Sequence, residues 1–294
     1  MHIEPLSPTI GARITGVDLN RLDDDTFRAI EEAWTRHKVV GIAGQSLTPA
    51  AFHAFACRLG RPQPHVLDAY HHAANPDIMV LSNVIEPDGR RRGLADGGSY
   101  WHSDYSYKEL PAKATLLYSL ECPADGGDTH FLDMEEAYAA LPERIRRRIE
   151  PLWAVHNYEY RHRQQITRHG VRTELSAQQR ALTPDVRHPV VRRHPASGRP
   201  ALYLNPGFTV RLEGVPQEES DSLLAEIFDI VLRPDRVFAY KWSLGDVAFW
   251  DNRCVMHSAT QGHRQNRTLW RITVLAEPPI PWAEDAPRTE TVAA

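Results

Sequence analysis

The pair His102 and Asp104, in the run Trp101-His102-Ser103-Asp104, restricts the fold of this chain more than any other feature of its sequence. Because side chains alternate along an extended segment, an imidazole and a carboxylate two residues apart point to the same face and can share one coordination sphere. A metal ion bound there needs a third ligand from elsewhere in the fold. His257 follows an apolar, strand-like run and is the natural candidate. The fold must then join segments that are separated by more than half of the chain length.

Two imidazoles and one carboxylate on one face of an ion leave the opposite face open, which is the arrangement in non-heme Fe(II) oxygenases. The tripeptide alone is weak evidence, because a chain with fifteen histidines contains about one His-x-Asp by chance. A hydrogen-bonded histidine beside a solvated aspartate is the alternative interpretation. The order of the other motifs in the chain distinguishes a metal site from this alternative.

Composition excludes several classes of partner. The 294 residues are 42% hydrophobic and 24% charged, which is ordinary for a globular protein with one large core. A formal net charge of -4 gives no general attraction to nucleic acid or to an anionic membrane. Arginine runs at 90–92 and 146–148 are flanked by acidic residues, and we interpret them as solvated faces. We therefore expect no nucleic-acid partner and no membrane partner.

The three cysteines, Cys57, Cys122 and Cys254, have no C-x-x-C spacing, so they suggest neither a disulfide framework nor a zinc site. The N-terminal residues lack a basic region followed by an apolar core, and no apolar run approaches the length of a membrane span. These observations predict a cytoplasmic protein with reduced thiols. They leave open whether it forms a homo-oligomer.

Short apolar or alternating runs between turns predict strands on both sides of the centre of the chain. The predicted strands lie at 10–17, 39–42, 78–81, 114–120, 237–242, 247–250, 255–258 and 271–275. Helices are predicted after the acidic run 23–25 and at 48–60, 134–141, 143–149 and 218–232. The polar segment around 161–180 is weakly patterned and is predicted to be an irregular insertion over the active face. This pattern favours one domain over residues 1–294, mainly β with flanking helices, in the form of a jelly roll.

Four motifs occur in a characteristic order: Ile10 to Leu19, Trp101 to Asp104, Gly126-Gly127-Asp128-Thr129, and Trp250-Asp251-Asn252-Arg253 continuing to His257. In this order they resemble the taurine dioxygenase and 2,4-dichlorophenoxyacetate dioxygenase family of Fe(II)/2-oxoglutarate-dependent oxygenases. The resemblance covers almost the full length of the chain. It implies the double-stranded β-helix fold of that family.

The resemblance assigns His102, Asp104 and His257 as ligands of Fe(II). It also implies that 2-oxoglutarate chelates the metal through its 1-carboxylate and 2-keto oxygen, and that O2 takes the last position. Related halogenating enzymes lack the carboxylate ligand, so the presence of Asp104 indicates hydroxylation or another oxidative outcome.

Arg267 stands where the family places the cation for the far carboxylate of 2-oxoglutarate, and Thr129 would add a hydroxyl donor. A planar guanidinium suits a bidentate bond to a carboxylate. The alternative is that Arg267 is an ordinary surface residue of a strand.

Arg271 is four positions beyond Arg267, so the two side chains share one face of an extended strand. Arg271 matches the arginine that binds the substrate anion in the family, while His65 and Phe208 resemble a second anion contact and an aromatic pocket wall. The alternatives are a structural arginine, a solvated loop histidine and a core aromatic. The taurine enzyme has an asparagine where this chain has Gly98-Ser99-Tyr100, which argues against taurine itself as the substrate.

Together these features predict an Fe(II)- and 2-oxoglutarate-dependent dioxygenase that oxidises, most simply by hydroxylation, a small anionic substrate. A sulfonate, a carboxylate or an amino-acid derivative would each satisfy Arg271, and succinate and CO2 would be released. The rival interpretation is a non-catalytic jelly roll that binds a metal or ligand as a sensor.

Overall fold

A computed structural model describes residues 1–95, 97–169, 174–261 and 265–276. Within these ranges the chain forms sixteen strands and seven α-helices, with short 3-10 helices at Leu19–Arg21, Asp68–Tyr70 and Pro234–Arg236. The strands are β1 His2–Pro5, β2 Ala12–Thr15, β3 Val39–Ile42, β4 His71–His72, β5 Asn75–Ser82, β6 Ala112–Glu121, β7 Thr129–Asp133, β8 Trp153–His156, β9 Val186–Pro189, β10 Val191–Arg193, β11 Pro200–Leu202, β12 Thr209–Glu213, β13 Phe238–Tyr240, β14 Val247–Asp251, β15 Val255–Ala259 and β16 Thr268–Leu275. The helices are α1 Asp24–His37, α2 Pro49–Leu59, α3 Met134–Ala139, α4 Glu143–Ile149, α5 Tyr158–His169, α6 Ala177–Ala181 and α7 Gln217–Val231.

The prediction of a mainly β protein with flanking helices is confirmed. The largest sheet has eight strands in the order β1-β2-β3-β14-β6-β16-β5-β4, and its central strands β14, β6 and β16 pair antiparallel. A three-stranded sheet of β13, β7 and β15 packs on it, with the ring of Phe131 on β7 5.2 Å from that of Trp250 on β14. Among the described residues, no helix is both long and apolar enough to cross a membrane.

Period-two alternation on the central strands separates two cores. Phe249 and Ile272 point to one face of the large sheet, where they pack with residues of α1 and α2. The neighbouring residues Trp250 and Arg271 lie on the other face, toward the three-stranded sheet and the cavity described below. One face of the sheet therefore makes a helix-covered core, while the other builds the site.

The helices at the start of the chain follow the predicted caps. The side chain of Asp23 accepts a hydrogen bond from the backbone N–H of Thr26, and that of Thr48 accepts one from Ala51. Each cap satisfies a backbone donor that would otherwise have no partner in the first turn of its helix.

The prediction of an irregular segment around 161–180 is wrong for most of its length. Helix α5 occupies Tyr158–His169, and α6 begins at Ala177, after the N-cap residue Ser176, whose side chain forms a capping box with Gln179. Residues 170–173 lie outside the described residues. The helix escaped detection because two of its buried side chains are polar, Arg161 and His162, so the sequence shows no apolar stripe at helical spacing.

Candidate active site

The side chains of His102, Asp104 and His257 converge between the two sheets. His102 and His257 lie opposite each other in a β-bridge, and each backbone N–H donates to the other residue's carbonyl, at 3.0 and 2.8 Å. Nε2 of His102 lies 3.4 Å from Oδ1 of Asp104, and Nε2 of His257 lies 3.5 Å from Oδ2. All three side chains are buried, and their donor atoms lie within 4.8 Å of one another.

Hydrogen bonds orient two of these groups. Nδ1 of His102 is 2.7 Å from the carbonyl oxygen of Tyr100, which can only accept, so Nδ1 carries the hydrogen and Nε2 of the neutral ring keeps a lone pair that a metal ion could bind. The hydroxyl of Thr115 donates to Oδ2 of Asp104 at 2.6 Å. The amide of Asn252 donates to that hydroxyl at 3.0 Å, and its oxygen accepts from the backbone N–H of Asp104 at 3.1 Å. Such partners fix the direction of ligand lone pairs.

The protonation states suit a divalent metal ion. Burial raises the pKa of Asp104, but the charges of Arg271 and of the two imidazoles outweigh this, so its pKa lies well below the usual range. Burial and then the neighbouring His102 hold the pKa of His257 well below that of a free histidine. An ionised carboxylate and a neutral imidazole are the forms that bind metals. With two nitrogens and one oxygen, the donor set fits Fe(II).

Arg271 lies in the cavity wall and forms an ion pair with the central carboxylate. Its guanidinium donates to Oδ1 of Asp104 at 2.6 Å, and its Cζ is 5.9 Å from the centre of the Tyr105 ring. The bond to Asp104 uses one of five guanidinium donors. Sequence reasoning predicted that Arg271 faces a substrate anion, and it did not anticipate this contact with the aspartate.

Arg267 and Thr129 line the same cavity. Nε of Arg267 donates to the carbonyl of Gly127 at 3.1 Å, and burial lowers the pKa of this guanidinium to about 10, although Asp128 opposes the shift. The hydroxyl of Thr129 accepts a hydrogen bond from the indole of Trp242 at 3.0 Å. Sequence reasoning missed Trp242, which follows a short strand and carries no motif of its own.

All eight residues singled out from the sequence line one cavity with a volume of about 60 Å³: His65, His102, Asp104, Thr129, Phe208, His257, Arg267 and Arg271. The ring of Phe208 packs edge to face against His102, with 5.9 Å between ring centres. His65 accepts a hydrogen bond from the backbone N–H of Leu67 at 3.1 Å, and its ring stands 6.1 Å from Tyr105. Aromatic walls of this kind exclude water from a reacting centre.

Comparisons with known proteins agree with this geometry. The profile of the taurine catabolism dioxygenase TauD, TfdA family matches residues 2–273. The chain is 34% identical to an alpha-ketoglutarate-dependent sulfate ester dioxygenase of Pseudomonas putida, over 95% of this chain and 91% of the relative. It is 32% identical to an (S)-phenoxypropionate/alpha-ketoglutarate-dioxygenase of Sphingobium herbicidovorans, over 94% and 95%. Alpha-ketoglutarate is another name for 2-oxoglutarate. A crystal structure of a taurine dioxygenase from Burkholderia xenovorans superposes with a TM-score of 0.78 at 29% identity, covering 97% of this chain and 92% of that one.

Proposed function

This chain belongs to the taurine catabolism dioxygenase family, and we propose that the cavity around His102, Asp104 and His257 is where it uses 2-oxoglutarate and O2 to oxidise a small organic acid. It is a 2-oxoglutarate-dependent dioxygenase, and its cofactors are Fe(II) and 2-oxoglutarate. One observation carries the assignment of the site. Three donor groups of the right type converge within 4.8 Å, and two half-buried arginines, Arg267 and Arg271, line the same cavity.

His102, Asp104 and His257 would hold the iron. When bound, the iron supplies the chemistry that couples decarboxylation of 2-oxoglutarate to oxidation of a carbon–hydrogen bond. The protein has to orient the ligands, exclude water and fix the target carbon. Thr115 and Asn252 orient the carboxylate, and the Tyr100 carbonyl sets the tautomer of His102.

Arg267 and Thr129 are proposed to bind the far carboxylate of 2-oxoglutarate. The guanidinium donates to a carbonyl rather than to a carboxylate, so its positive charge is free to pair with an incoming anion. Two donors that line one cavity, one of them charged, favour binding of a carboxylate there.

Arg271 and His65 are proposed to bind the anionic group of the primary substrate, with Phe208 as a wall of its pocket. The donors of Arg271 that are not directed at Asp104 support this role. The relatives named above act on sulfate esters and phenoxypropionate, which are both small organic anions. We propose a sulfonate, a carboxylate or an amino-acid derivative as the substrate and hydroxylation as the primary outcome.

Several broader proposals accompany this function. The packing of a three-stranded sheet on an eight-stranded sheet supports a double-stranded β-helix, or jelly roll, in one domain over residues 1–294. Cys57, Cys122 and Cys254 are free, which supports a cytoplasmic location. We also propose that the protein forms a homo-oligomer, which a measurement of its molecular mass in solution tests.

The test compares the wild type with alanine variants of the three ligands. Anaerobic Fe(II) and 2-oxoglutarate should produce a weak visible absorption band with the wild type, and air should then release succinate. His102→Ala, Asp104→Ala and His257→Ala should each lose iron binding and succinate release while keeping the circular dichroism spectrum. Wild-type iron affinity in Asp104→Ala would refute the ligand assignment. A sensor, the rival function, would bind 2-oxoglutarate without turnover of any acid.

A further inference from the structure

We propose that Tyr107 and Lys108 form an outer subsite beside the active cavity, and that it binds the far end of an elongated substrate with an acidic group at each end. This inference rests on the proposed function, because the near acidic group is the one assigned to Arg271. It narrows the proposed class of substrate from small organic acids in general to linear diacids.

Two adjoining cavities provide the space. The inner cavity has a volume of about 60 Å³, whereas a groove outside it has about 840 Å³. His65 and Tyr107 line both of them, so the two cavities meet at these two side chains. The inner cavity is narrow, and a long substrate therefore has to place its outer part in the groove.

Lys108 lines the outer groove next to Tyr107 in the chain. Its backbone is fixed, because its N–H donates to the Tyr105 carbonyl at 2.8 Å and its carbonyl accepts from His188 at 3.0 Å. Its Nζ lies 4.1 Å from the centre of the Tyr105 ring. Burial and then the charge of Arg271 lower the pKa of this lysine to about 8, and none of the described carboxylates offsets the shift. A half-buried ammonium without a counter-ion favours an anionic ligand.

Tyr107 supplies an independent observation. Its side chain is 2% exposed, and its hydroxyl is buried without a hydrogen-bond partner among the described residues. Buried hydroxyl groups are normally bonded, so an unbonded one that lines a cavity suggests that a ligand completes it. Tyr107 lines both cavities, and Lys108, the next residue in the chain, lines the groove.

The distance between the cations limits the length of the ligand. Cζ of Arg271 and Nζ of Lys108 lie 5.9 and 4.1 Å from the same ring centre, so they are at most 10.0 Å apart, the sum of the two distances. One linear chain of several carbons with a carboxylate or sulfonate at each end can reach two cations that are no farther apart than this. Other parts of the groove carry Asp68, Glu109 and Asp185, and its arginine, Arg187, is paired with Glu213. Lys108 is therefore the cation of this groove that has no carboxylate partner among the described residues, which favours an anion beside it.

The first measurement needs only the wild type. Adipate, pimelate and suberate are compared with hexanoate, heptanoate and octanoate at saturating 2-oxoglutarate, both by their effect on the anaerobic absorption band and by mass spectrometry of the oxidised product. We expect the diacids to bind about tenfold or more tightly than the monoacids of equal length, because a charge-assisted bond is worth at least that factor.

Two variants test whether Lys108 and Tyr107 cause the preference for diacids. Lys108→Met keeps the aliphatic stem on Tyr105 and removes the charge, and Tyr107→Phe removes only the hydroxyl. Each should reduce the preference for diacids. Lys108→Met should also leave the apparent KM for monoacids and for 2-oxoglutarate within about twofold of the wild type. Lys113→Met is the matched control, since Nζ of Lys113 also lies over an aromatic ring, Trp34, at 5.9 Å and does not line either cavity.

The outcomes separate the two proposals. If the wild type oxidises monoacids and diacids equally well, or binds none of the diacids, the outer subsite is refuted while the function stands. An unchanged diacid preference in Lys108→Met also refutes it. If no absorption band forms with Fe(II) and 2-oxoglutarate, the proposed function itself fails.

Discussion

Replacing Thr115 by valine should weaken iron binding without any change to a ligand. The Thr115 side chain lies within β6 and the residue is fully buried. Its hydroxyl donates to Asp104 at 2.6 Å and accepts from the amide of Asn252 at 3.0 Å. Valine has nearly the same shape, so Thr115→Val removes these two hydrogen bonds and leaves the packing of the strand in place.

The size of the effect follows from those two bonds. A hydrogen bond to an ionised group contributes about 1.5 to 3 kcal/mol, and the amide donor of Asn252 left without a partner costs about 1 to 3 kcal/mol. Because neighbouring groups relax, we expect the free energy of unfolding to fall by about 3 kcal/mol. Loss of a group that orients a metal ligand typically lowers metal affinity by about ten- to a hundredfold.

Urea unfolding and anaerobic Fe(II) titration measure the two effects. Ser119→Ala is the matched control, because Ser119 lies on the same strand and its buried hydroxyl has no hydrogen-bond partner among the described residues. It should leave iron affinity unchanged. If Thr115→Val binds iron as tightly as the wild type, Thr115 does not orient Asp104.

Three further predictions concern other residues of the site and the buried His188. Arg267→Ala should raise the apparent KM for 2-oxoglutarate by about ten- to a hundredfold and affect the primary substrate much less, as measured by succinate release; an unchanged KM would remove Arg267 from the co-substrate site. Burial and then Arg192 lower the pKa of His188 from 6.5 to about 4, so the unfolded chain binds this proton first and stability falls as the pH drops from 6.5 to 4. At about 1.36 kcal/mol per pKa unit, this loss of stability is about 3 kcal/mol. Urea unfolding at a series of pH values should show that His188→Gln lacks the loss. Equal losses in both proteins would mean that His188 does not cause the pH dependence. Gly207→Ala would place a Cβ 2.8 Å from the Tyr100 ring and 2.9 Å from Cβ of His102. Because these contacts are too short, His102 should be displaced, and anaerobic Fe(II) titration should show weaker iron binding. Wild-type iron affinity would mean that the loop around Gly207 moves away without disturbing His102.

Local patterns in the sequence were sufficient to predict much of the architecture. Caps at Asp23 and Thr48 marked the helix starts, and apolar runs marked strands such as β3 and β14. These features depend on neighbours in the chain, which the sequence shows directly. The motif order likewise selected eight residues that share one cavity.

Contacts between segments that are distant in the sequence could not be predicted from local patterns. Thr115 is a hydroxyl residue within an apolar strand run, and nothing local shows that it meets Asp104 and an amide 137 residues away. The ion pair between Arg271 and Asp104 joins residues 167 positions apart. Helix α5 was missed for a related reason, since its buried polar side chains find their partners only in the folded protein.

The reciprocal backbone bonds between His102 and His257 have a consequence for how this scaffold can change. Their separation is set by main-chain geometry, which does not depend on the length or composition of the connections between them. Tyr107, Lys108 and Phe208 all belong to the stretch of chain that runs from one histidine to the other. Pocket walls can therefore be exchanged while the imidazole spacing stays constant, so that new substrates become accessible without a new metal site.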